Sequence, residues 1–380
     1  MSHPLRVLYF GTYRANYSRN RILIEGLRRN GVQVMECHET LWHGVEDRVQ
    51  AVSGGWKHPS FWWRIFRAYA RLLWKYRQID DYDVMVVGYP GHLDVFLARL
   101  LTWLHGKPLV WDIFMSIYLI ALERGLESKS RFGVSALRQV ERLACHLPNR
   151  LVIDTKEYAR WFEQTHNVPV ERFTLIPTGA DDRIFRPLAT SSLKSREELF
   201  QVLYYGSFIP NHGVLTIVEA AKLLAKMPDI RFEFVGHGPL RKEAEQLAVQ
   251  LQLANVAFTD WLAPEILRRR IAQADLCLGA FGNTPQSLMT VQNKIYECLA
   301  MARPVTTGDG PAIREAMIHG QHIWLCPREN PKALAEAIQV LRAQPELRKA
   351  LGRQGHTLFL KSYTVQRNGE RFKMCLQGVT

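Results

Sequence analysis

Asn293, Lys294 and Glu297 are the polar residues of this sequence whose types and spacing have the clearest chemical use. They fall in NKIYECLAMARPV, a segment that begins like a helix and ends before Pro304. In a first helical turn, Asn293 and Lys294 lie beside backbone amides that have no helical partner and can bind phosphate. Glu297, one turn later, can accept hydrogen bonds from two hydroxyl groups. The segment predicts a site for phosphate and hydroxyl groups, and a solvated helix face is the alternative for Glu297.

A single glycine, Gly11, ends the first apolar run, RVLYFG, ahead of a helix that we expect to start after Ser18. A glycine there lets a ligand approach the backbone and lets helix-terminal amides face an anion. An ordinary tight turn explains one glycine equally well. Neither GxGxxG nor a Walker A pattern occurs, which disfavours a P-loop kinase and a standard dinucleotide oxidoreductase.

The segment 56–78 contains six basic residues, eight aromatic residues and no acidic residue. On a helical wheel its basic side chains fall within roughly 80° of arc, opposite an aromatic group. The basic residues are Arg64, Arg67, Arg71 and Lys75, and the opposite group is Trp62, Phe66, Tyr69, Leu73 and Tyr76. With Trp56, Trp63 and Trp74 nearby, the pattern indicates a helix at an anionic membrane surface. The alternative is a domain helix whose aromatic face is in the core and whose charges are solvated.

The whole chain is basic, with 49 Lys and Arg against 36 Asp and Glu, which gives a net charge of +13 over 380 residues. This excess points to an anionic partner, for which nucleic acid, an acidic membrane surface and a phosphorylated substrate are the candidates. No nucleic-acid recognition motif supports the first, so we expect no nucleic-acid partner. The six cysteines form no CxxC pair and no zinc-type spacing, which indicates buried thiols in a reducing compartment.

Short apolar runs alternate with longer helical patterns along both halves of the chain. Runs without polar alternation, separated by helix-length segments, predict parallel sheets covered on both faces. The non-periodic segments IPTGADDRIFRP and LATSSLKSREE suggest a linker, so we place the domain boundary near residues 187–200. The expected fold class is α/β, with two doubly wound parallel-sheet domains facing a cleft: residues 1–190, residues 191–363, and a C-terminal helix at 364–380 that packs back on the first domain.

The sequence resembles the retaining nucleotide-sugar glycosyltransferases of the GT-B fold, the large family called group one or family four. The matching pieces run in order from Leu175 to about Tyr363. They are IPTGADDRIFRP, LYYGSFIPNHGVLTIVEAAKLL, FEFVGHGPLRKEAEQLA, VAFTDWLAPEILRRRIAQADLCLGAF, NKIYECLAMARPVTTGDGPAIRE and NPKALAEAIQVL. The resemblance implies two Rossmann-like domains, with the acceptor on the first and a nucleotide diphosphate sugar on the second. The N-terminal half matches more loosely, through Gly11 and the strands DVMVVGYPG and KPLVWDIF.

By this resemblance Glu297 is the second glutamate of the family's Glu, seven residues, Glu motif and holds the donor ribose. The first glutamate position carries Met289, so Gln286, Ser287 or Gln292 would have to take over its contact.

Near the predicted diphosphate, the family's Arg and Lys positions carry Ser207 and His212, a hydroxyl and a titratable ring. Lys294, Arg14 or Arg303 would compensate for the missing charge. Gly236, in GHGP, would border the nucleotide.

In the first domain many family members place a catalytic or sugar-positioning histidine after a strand. The strand KPLVWDIF offers Asp112 there, and His92 in the preceding GYPGH loop is the other candidate. Either side chain is equally explained as an ordinary satisfied loop residue.

We therefore expect a glycosyltransferase that retains anomeric configuration and transfers a sugar to a lipid-linked or surface-glycan acceptor. Enzymes of this fold normally stabilise the departing diphosphate with amides and basic side chains, so the resemblance implies neither a metal nor another cofactor. The N-terminus lacks signal-peptide features and the apolar stretch IFMSIYLIAL is too short to span a bilayer, which favours a cytoplasmic protein peripherally bound to the membrane. Met289, Ser207 and His212 motivate the alternative, a catalytically inactive partner of a glycan-assembly enzyme that keeps this fold.

Overall fold

The computed structural model describes residues 3–41, 59–188 and 199–380. The chain divides into two compact units: unit 1 is Met1–Pro177 with Val365–Thr380, and unit 2 is Thr178–Thr364. The division after Pro177 precedes the expected boundary after residue 190. That residue, most of LATSSLKSREE and Trp56 lie outside the described residues.

Unit 1 is built on a six-stranded sheet with the order β2-β1-β3-β4-β5-β6, and every neighbouring pair is parallel. Its strands are β1 (Arg6–Gly11), β2 (Gln33–His38), β3 (Val84–Val87), β4 (Leu109–Asp112), β5 (Arg150–Ile153) and β6 (Phe173–Leu175). Strands β3 and β4 are buried at every residue, which explains their uninterrupted apolar sequences.

The helices of unit 1 connect these strands and come from both ends of the chain. They are α1 (Ser18–Arg29), α2 (Pro59–Tyr76), α3 (Asp94–Leu104), α4 (Ile117–Glu123), α5 (Leu126–Lys129), α6 (Arg131–His146), α7 (Lys156–His166) and the C-terminal α16 (Val365–Gln377). Within the described part of the chain, no helix has the length and apolar character needed to cross a bilayer.

Unit 2 repeats the architecture with a six-stranded sheet of order β12-β11-β10-β7-β8-β9, again parallel throughout. Its strands are β7 (Phe200–Tyr205), β8 (Ile230–Val235), β9 (Val256–Thr259), β10 (Leu276–Leu278), β11 (Val305–Gly308) and β12 (Trp324–Cys326). Its helices are α8 (Val214–Leu223), α9 (Arg241–Gln250), α10 (Pro264–Gln273), α11 (Pro285–Met289), α12 (Asn293–Ala300), α13 (Pro311–Ala316), α14 (Pro331–Ala343) and α15 (Pro345–Ser362). The predicted α/β fold with two parallel sheets is confirmed.

Helix α16 completes unit 1 although it follows unit 2 in the chain. It crosses α1 at two glycines, where a Cβ on Gly369 would come within 2.0 Å of the Gly26 carbonyl oxygen. Beside this crossing Gln366 donates to Asn30, and the Asn368 amide donates to the Pro177 carbonyl oxygen.

Candidate functional site

In unit 2 the turn that follows β7 meets the first turn of α12. Gly206 takes a positive φ of 141°, and a Cβ there would lie 2.8 Å from the Lys294 ammonium nitrogen. Gly206 therefore allows this lysine to reach the backbone of the turn, at the carboxyl edge of the sheet where open α/β folds bind ligands.

The Lys294 side chain is 5% exposed, and few groups offset its charge. Its ammonium group lies 4.1 Å from the centre of the Tyr204 ring and donates a long hydrogen bond of 3.5 Å to the Gly279 carbonyl oxygen. Among the described residues, no carboxylate oxygen is within 4 Å of it. Burial lowers the pKa of Lys294 to about 7, against the raising effect of Cys298 and Glu297. A buried cation with so few partners is suited to an anionic ligand.

Asn293, the first residue of α12, precedes this lysine and is partly buried. Within the described chain, the Gln292 side chain does not cap the helix. One turn further, the partly buried Glu297 accepts a hydrogen bond of 2.8 Å from the Tyr205 hydroxyl at Oε2. Burial raises the pKa of Glu297 to about 7, opposed by that hydrogen bond and by the Lys294 charge.

Ser207 and His212 form the inside of the turn after β7. The His212 Nδ1 lies 2.6 Å from the Ser207 carbonyl oxygen, to which it donates as the protonated ring nitrogen, and the Tyr204 hydroxyl donates to the same oxygen at 2.8 Å. Burial, and then the Lys294 charge, lower the pKa of His212, so the ring is neutral. His212 thus fixes the turn and supplies no cation. Among the described residues, the Ser207 amide and hydroxyl donate to no protein acceptor.

Gly236 follows β8 and packs directly on the turn after β7. A Cβ at Gly236 would lie 2.2 Å from the Gly206 carbonyl oxygen. Arg241, which the sequence analysis missed, fastens this loop by donating to the Gly236 and Thr259 carbonyl oxygens at 2.7 and 3.0 Å. The predicted nucleotide-bordering glycine is therefore part of a rigid, close-packed pair of turns.

Met289 ends the short helix α11 and is buried, so an apolar side chain occupies the family's first glutamate position. The suggested replacements all have local contacts. The Ser287 hydroxyl donates to the Gly282 carbonyl oxygen, and Gln286 accepts from Asn211. The Gln292 side-chain amide donates to the Thr290 carbonyl oxygen at 3.4 Å. Arg328, also missed from the sequence, braces this loop through the Gly282 and Ser287 carbonyl oxygens.

The other two suggested cations do not belong to α12. Arg303 follows the far end of α12, and its guanidinium group donates to the Ala274 carbonyl oxygen at 3.5 Å. Arg14 belongs to unit 1, where its guanidinium group lies 5.5 Å from the centre of the Tyr17 ring.

In unit 1 the turn at Gly11 holds one of the chain's own carboxylates. A Cβ at Gly11 would lie 2.5 Å from the Asp94 Oδ2. That oxygen accepts from the Thr12 amide at 2.7 Å, and Tyr69 donates to the other oxygen at 2.7 Å. The Asp94 carboxylate gives Gly11 a packing role, and the anion-binding role of this glycine stays a prediction.

Asp112, the last residue of β4, is fully buried and ion-paired. Arg19 donates to its two oxygens at 2.7–2.9 Å and also donates to the Ile176 carbonyl oxygen. This pairing fixes α1 to the sheet and favours a positioning role for Asp112, and its catalytic role stays a prediction.

His92 is buried, and its Nε2 donates to the Glu141 carboxylate at 3.0 Å. Glu141 also accepts from His166, from the Ser116 hydroxyl and from the Ile117 amide. Burial opposes ionisation of Glu141, but the hydrogen bonds from the two histidines dominate and lower its pKa to about 2. His92 is therefore held by an ionised carboxylate in the interior of unit 1.

Asp154 directly follows β5 at the carboxyl edge of the unit 1 sheet, and the sequence analysis did not single it out. It is buried, and neither carboxylate oxygen has a hydrogen-bond partner among the residues described. Burial raises its pKa to about 7, against the charge of Arg19. Its position directly after a strand was the available signal.

Helix α2 carries the predicted membrane-interface residues. Trp62, Trp63, Arg64, Arg67 and Arg71 are exposed, and Lys75 is partly buried beside Glu39. The narrow buried face consists of Ala68 and Leu72. Two of the predicted aromatic group point into unit 1 instead, because the Tyr69 and Tyr76 hydroxyls hydrogen-bond to Asp94 and Tyr82.

Residues 200–344, the larger part of unit 2, match the family of glycosyl transferases group 1. The chain is 24% identical over 285 residues to an alpha-D-kanosaminyltransferase of Streptomyces kanamyceticus, across 73% of this chain and 72% of that protein. It is 23% identical over 317 residues to a D-inositol 3-phosphate glycosyltransferase of Thermobispora bispora, with the same coverage of 73% and 72%.

Two solved structures share the whole fold. Sucrose-phosphate synthase from Thermosynechococcus elongatus superposes with a TM-score of 0.75 at 17% identity, covering 99% of both chains. Anabaena HepE, solved in complex with UDP, superposes with a TM-score of 0.72 at 15% identity, covering 99% of this chain and 100% of that one. The predicted GT-B fold and the resemblance to group one glycosyltransferases are confirmed.

Proposed function

We propose that this chain, whose residues 200–344 form a group 1 glycosyltransferase domain, transfers a sugar from a nucleotide diphosphate donor held by unit 2. The observation that carries the proposal is the buried Lys294 ammonium group, which lies beside the Gly206 turn and lacks a carboxylate partner among the described residues. The donor diphosphate supplies the missing negative charge. The unused Ser207 amide and hydroxyl add hydrogen bonds to it, and Glu297 accepts hydrogen bonds from the ribose hydroxyls.

The reaction proceeds with retention, by displacement on the face from which the diphosphate leaves. The bond between the anomeric carbon and the diphosphate oxygen breaks, the bond to the acceptor oxygen forms, and the departing phosphate takes the acceptor's proton. Lys294 and the backbone amides stabilise the charge of the leaving group, so the mechanism needs no metal ion. Because Asp112 is tied to Arg19 and His92 to Glu141, neither is assigned the proton transfer, and both position the acceptor side of unit 1.

A UDP-sugar is the first donor to test, since HepE structures of the same fold were solved with UDP and with UDP-glucose. For the acceptor, bound by unit 1, we propose a lipid-linked or surface-glycan chain at the cytoplasmic face of the membrane. The exposed tryptophan and arginine side chains of α2 support this choice.

The test is thermal stabilisation by UDP-, GDP-, ADP- and dTDP-sugars, measured with wild type, Lys294→Met, Glu297→Ala and the control Lys242→Met. Lys242 is an exposed lysine of the same unit. We expect one donor class to raise the melting temperature of wild type and of Lys242→Met. The same donor should not raise the melting temperature of Lys294→Met or Glu297→Ala. Without a donor, Lys294→Met should unfold no earlier than wild type, because an apolar chain replaces a poorly compensated buried charge.

Slow hydrolysis of the same donor, lost in both site variants, would add proof of catalysis. The proposal fails if a folded sample with added membrane lipid neither binds nor hydrolyses any donor. That result would favour the inactive partner protein.

A further inference from the structure

Helix α3 has two apolar faces, and the described residues cover only one of them. The covered face packs on the sheet and consists of Val95, Ala98, Leu101 and Thr102. The outward face consists of Phe96, Leu100, Trp103 and Leu104. Their spacing of four, three and one residues places these four side chains on one side of a helix. Trp103 and Leu104 are 77% and 70% exposed, so the outward face is open to solvent in the isolated chain.

Helix α2 lies beside α3 and has a second uncovered apolar face. Tyr69 of α2 donates to Asp94 at the start of α3, and the Tyr76 hydroxyl contacts His105 just past its end, so the two helices run side by side. At about 100° per residue, the sector next to these tyrosines contains Trp62, Phe66 and Leu73, all exposed. The same geometry turns Leu104 of α3 toward α2. The outward sectors therefore join in one surface, which we call the α2–α3 apolar surface.

The polar border of this surface is basic. Arg64, Arg67 and Arg71 follow the aromatic sector of α2 around the helix, and all three are exposed. None of them forms an ion pair with a carboxylate in the described chain. The acidic residue Asp94, which lies between the helices, is buried and directed inward.

We propose that the α2–α3 apolar surface inserts into the interface of an anionic lipid bilayer, with the α3 side chains entering the acyl boundary and the α2 guanidinium groups binding phosphate headgroups. This extends the membrane location of the proposed function from the basic segment of α2 to α3. Rings and aliphatic chains bordered by unpaired arginines match both layers of such an interface. A second copy of the chain fits less well, because a symmetric contact through this surface brings the two sets of arginines together.

The two helices contribute differently to binding, α3 by apolar insertion and α2 by headgroup attraction. The dependence of binding on salt concentration distinguishes the two contributions. Apolar insertion survives high salt, whereas headgroup attraction is screened. The test measures co-sedimentation with phosphatidylglycerol vesicles and with phosphatidylcholine vesicles, at low salt and at about 1 M salt, where the Debye length is about 3 Å.

The α3 variant is Trp103→Ser with Leu104→Ser, and its matched control is Val249→Ser with Ile266→Ser, two exposed apolar residues of unit 2. We expect the α3 variant to bind phosphatidylglycerol vesicles about tenfold or more weakly at both salt concentrations. The control should bind like wild type. Equal binding by the α3 variant and wild type would overturn the role of α3.

The α2 variant changes Arg64, Arg67 and Arg71 to Gln, and its control changes Lys242, Arg269 and Arg353 to Gln, which removes the same charge from exposed positions in unit 2. At about 1 kcal/mol per arginine, the α2 variant should lose about a hundredfold in affinity at low salt and little at high salt. A similar loss in both variants would show that only net charge acts, which contradicts a defined headgroup site.

Contact of α3 with lipid is tested directly with brominated phosphatidylglycerol. It should quench the tryptophan fluorescence of wild type more than that of Trp103→Phe. The proposal would be overturned if wild type bound neither type of vesicle. It would also be overturned if wild type formed a dimer and the α3 variant did not. Donor-induced thermal shifts, measured on the same proteins, report on unit 2 alone. They show whether the donor proposal stands or fails independently of lipid binding.

Discussion

At the scale of single residues, burial moves the pKa values of Lys294 and Glu297 to about 7 from opposite directions. Below this pH the lysine is charged and the glutamate is neutral, and above it the reverse holds. A donor with an ionised diphosphate favours charged Lys294, and its ribose hydroxyls favour ionised Glu297. Donor binding should therefore take up a proton above pH 7 and release one below it.

Calorimetry of UDP-sugar binding in buffers of different ionisation enthalpy measures this exchange. At pH 8 we expect a net uptake of roughly 0.8 proton, because with both pKa values near 7 Lys294 takes up about 0.9 proton and Glu297 releases about 0.1. Glu297→Gln should abolish the release at pH 6 and keep the uptake at pH 8. Proton exchange of one sign across this range would contradict the assignment.

The sequence predicted these two residues because their relation is local, within one helix. It did not predict which polar residues already have partners. Asp112 is 93 positions from Arg19, and Thr12 is 82 positions from Asp94. Such long-range pairs give Asp112 and the turn at Gly11 packing contacts that only the fold reveals.

At the scale of elements, the loops after β7 and β8 act as one unit because Gly236 packs on Gly206. We expect Gly236→Ala to lower stability and abolish donor-induced stabilisation, since its Cβ would lie 2.2 Å from a carbonyl oxygen. The control is Gly320→Ala, which also has a positive φ but meets nothing within 4 Å. The control should cost only the backbone strain of about 1 kcal/mol and keep donor binding. Thermal melts with and without donor compare them, and equal losses would refute the role of loop packing.

The alternation of strands and helices was predictable in outline, since buried strands such as β3 and β4 have uninterrupted apolar sequences. Which faces of the helices are buried was less predictable from the sequence. Helix α3 is apolar almost all round, which from sequence alone indicates a buried helix. The structure instead exposes Trp103 and Leu104, because α2 and the sheet cover only part of its circumference.

At the scale of the whole molecule, unit 1 is assembled from both ends of the chain. Phe372 and Leu376 of α16 are fully buried in the same core as Leu23 and Leu27 of α1. Burying each large apolar side chain contributes about 1.5–3 kcal/mol to the free energy of unfolding. Helix α16 therefore adds several kcal/mol to the stability of unit 1, whose other residues are Met1–Pro177. Stability of unit 1 therefore depends on residues that follow unit 2.

Removing Val365–Thr380 should selectively unfold unit 1, which hydrogen exchange would show as lost amide protection in β1–β6 with retained protection in β7–β12. Because the truncated chain could aggregate, Gly369→Ala provides a milder variant. Alanine usually stabilises a helix relative to glycine, but here its Cβ would lie 2.0 Å from the Gly26 carbonyl oxygen, so the sign should reverse. Gly378→Ala, whose nearest neighbour is 3.5 Å away, is the control and should leave protection unchanged. Equal loss of protection in both sheets would show instead that the chain unfolds as a single cooperative body.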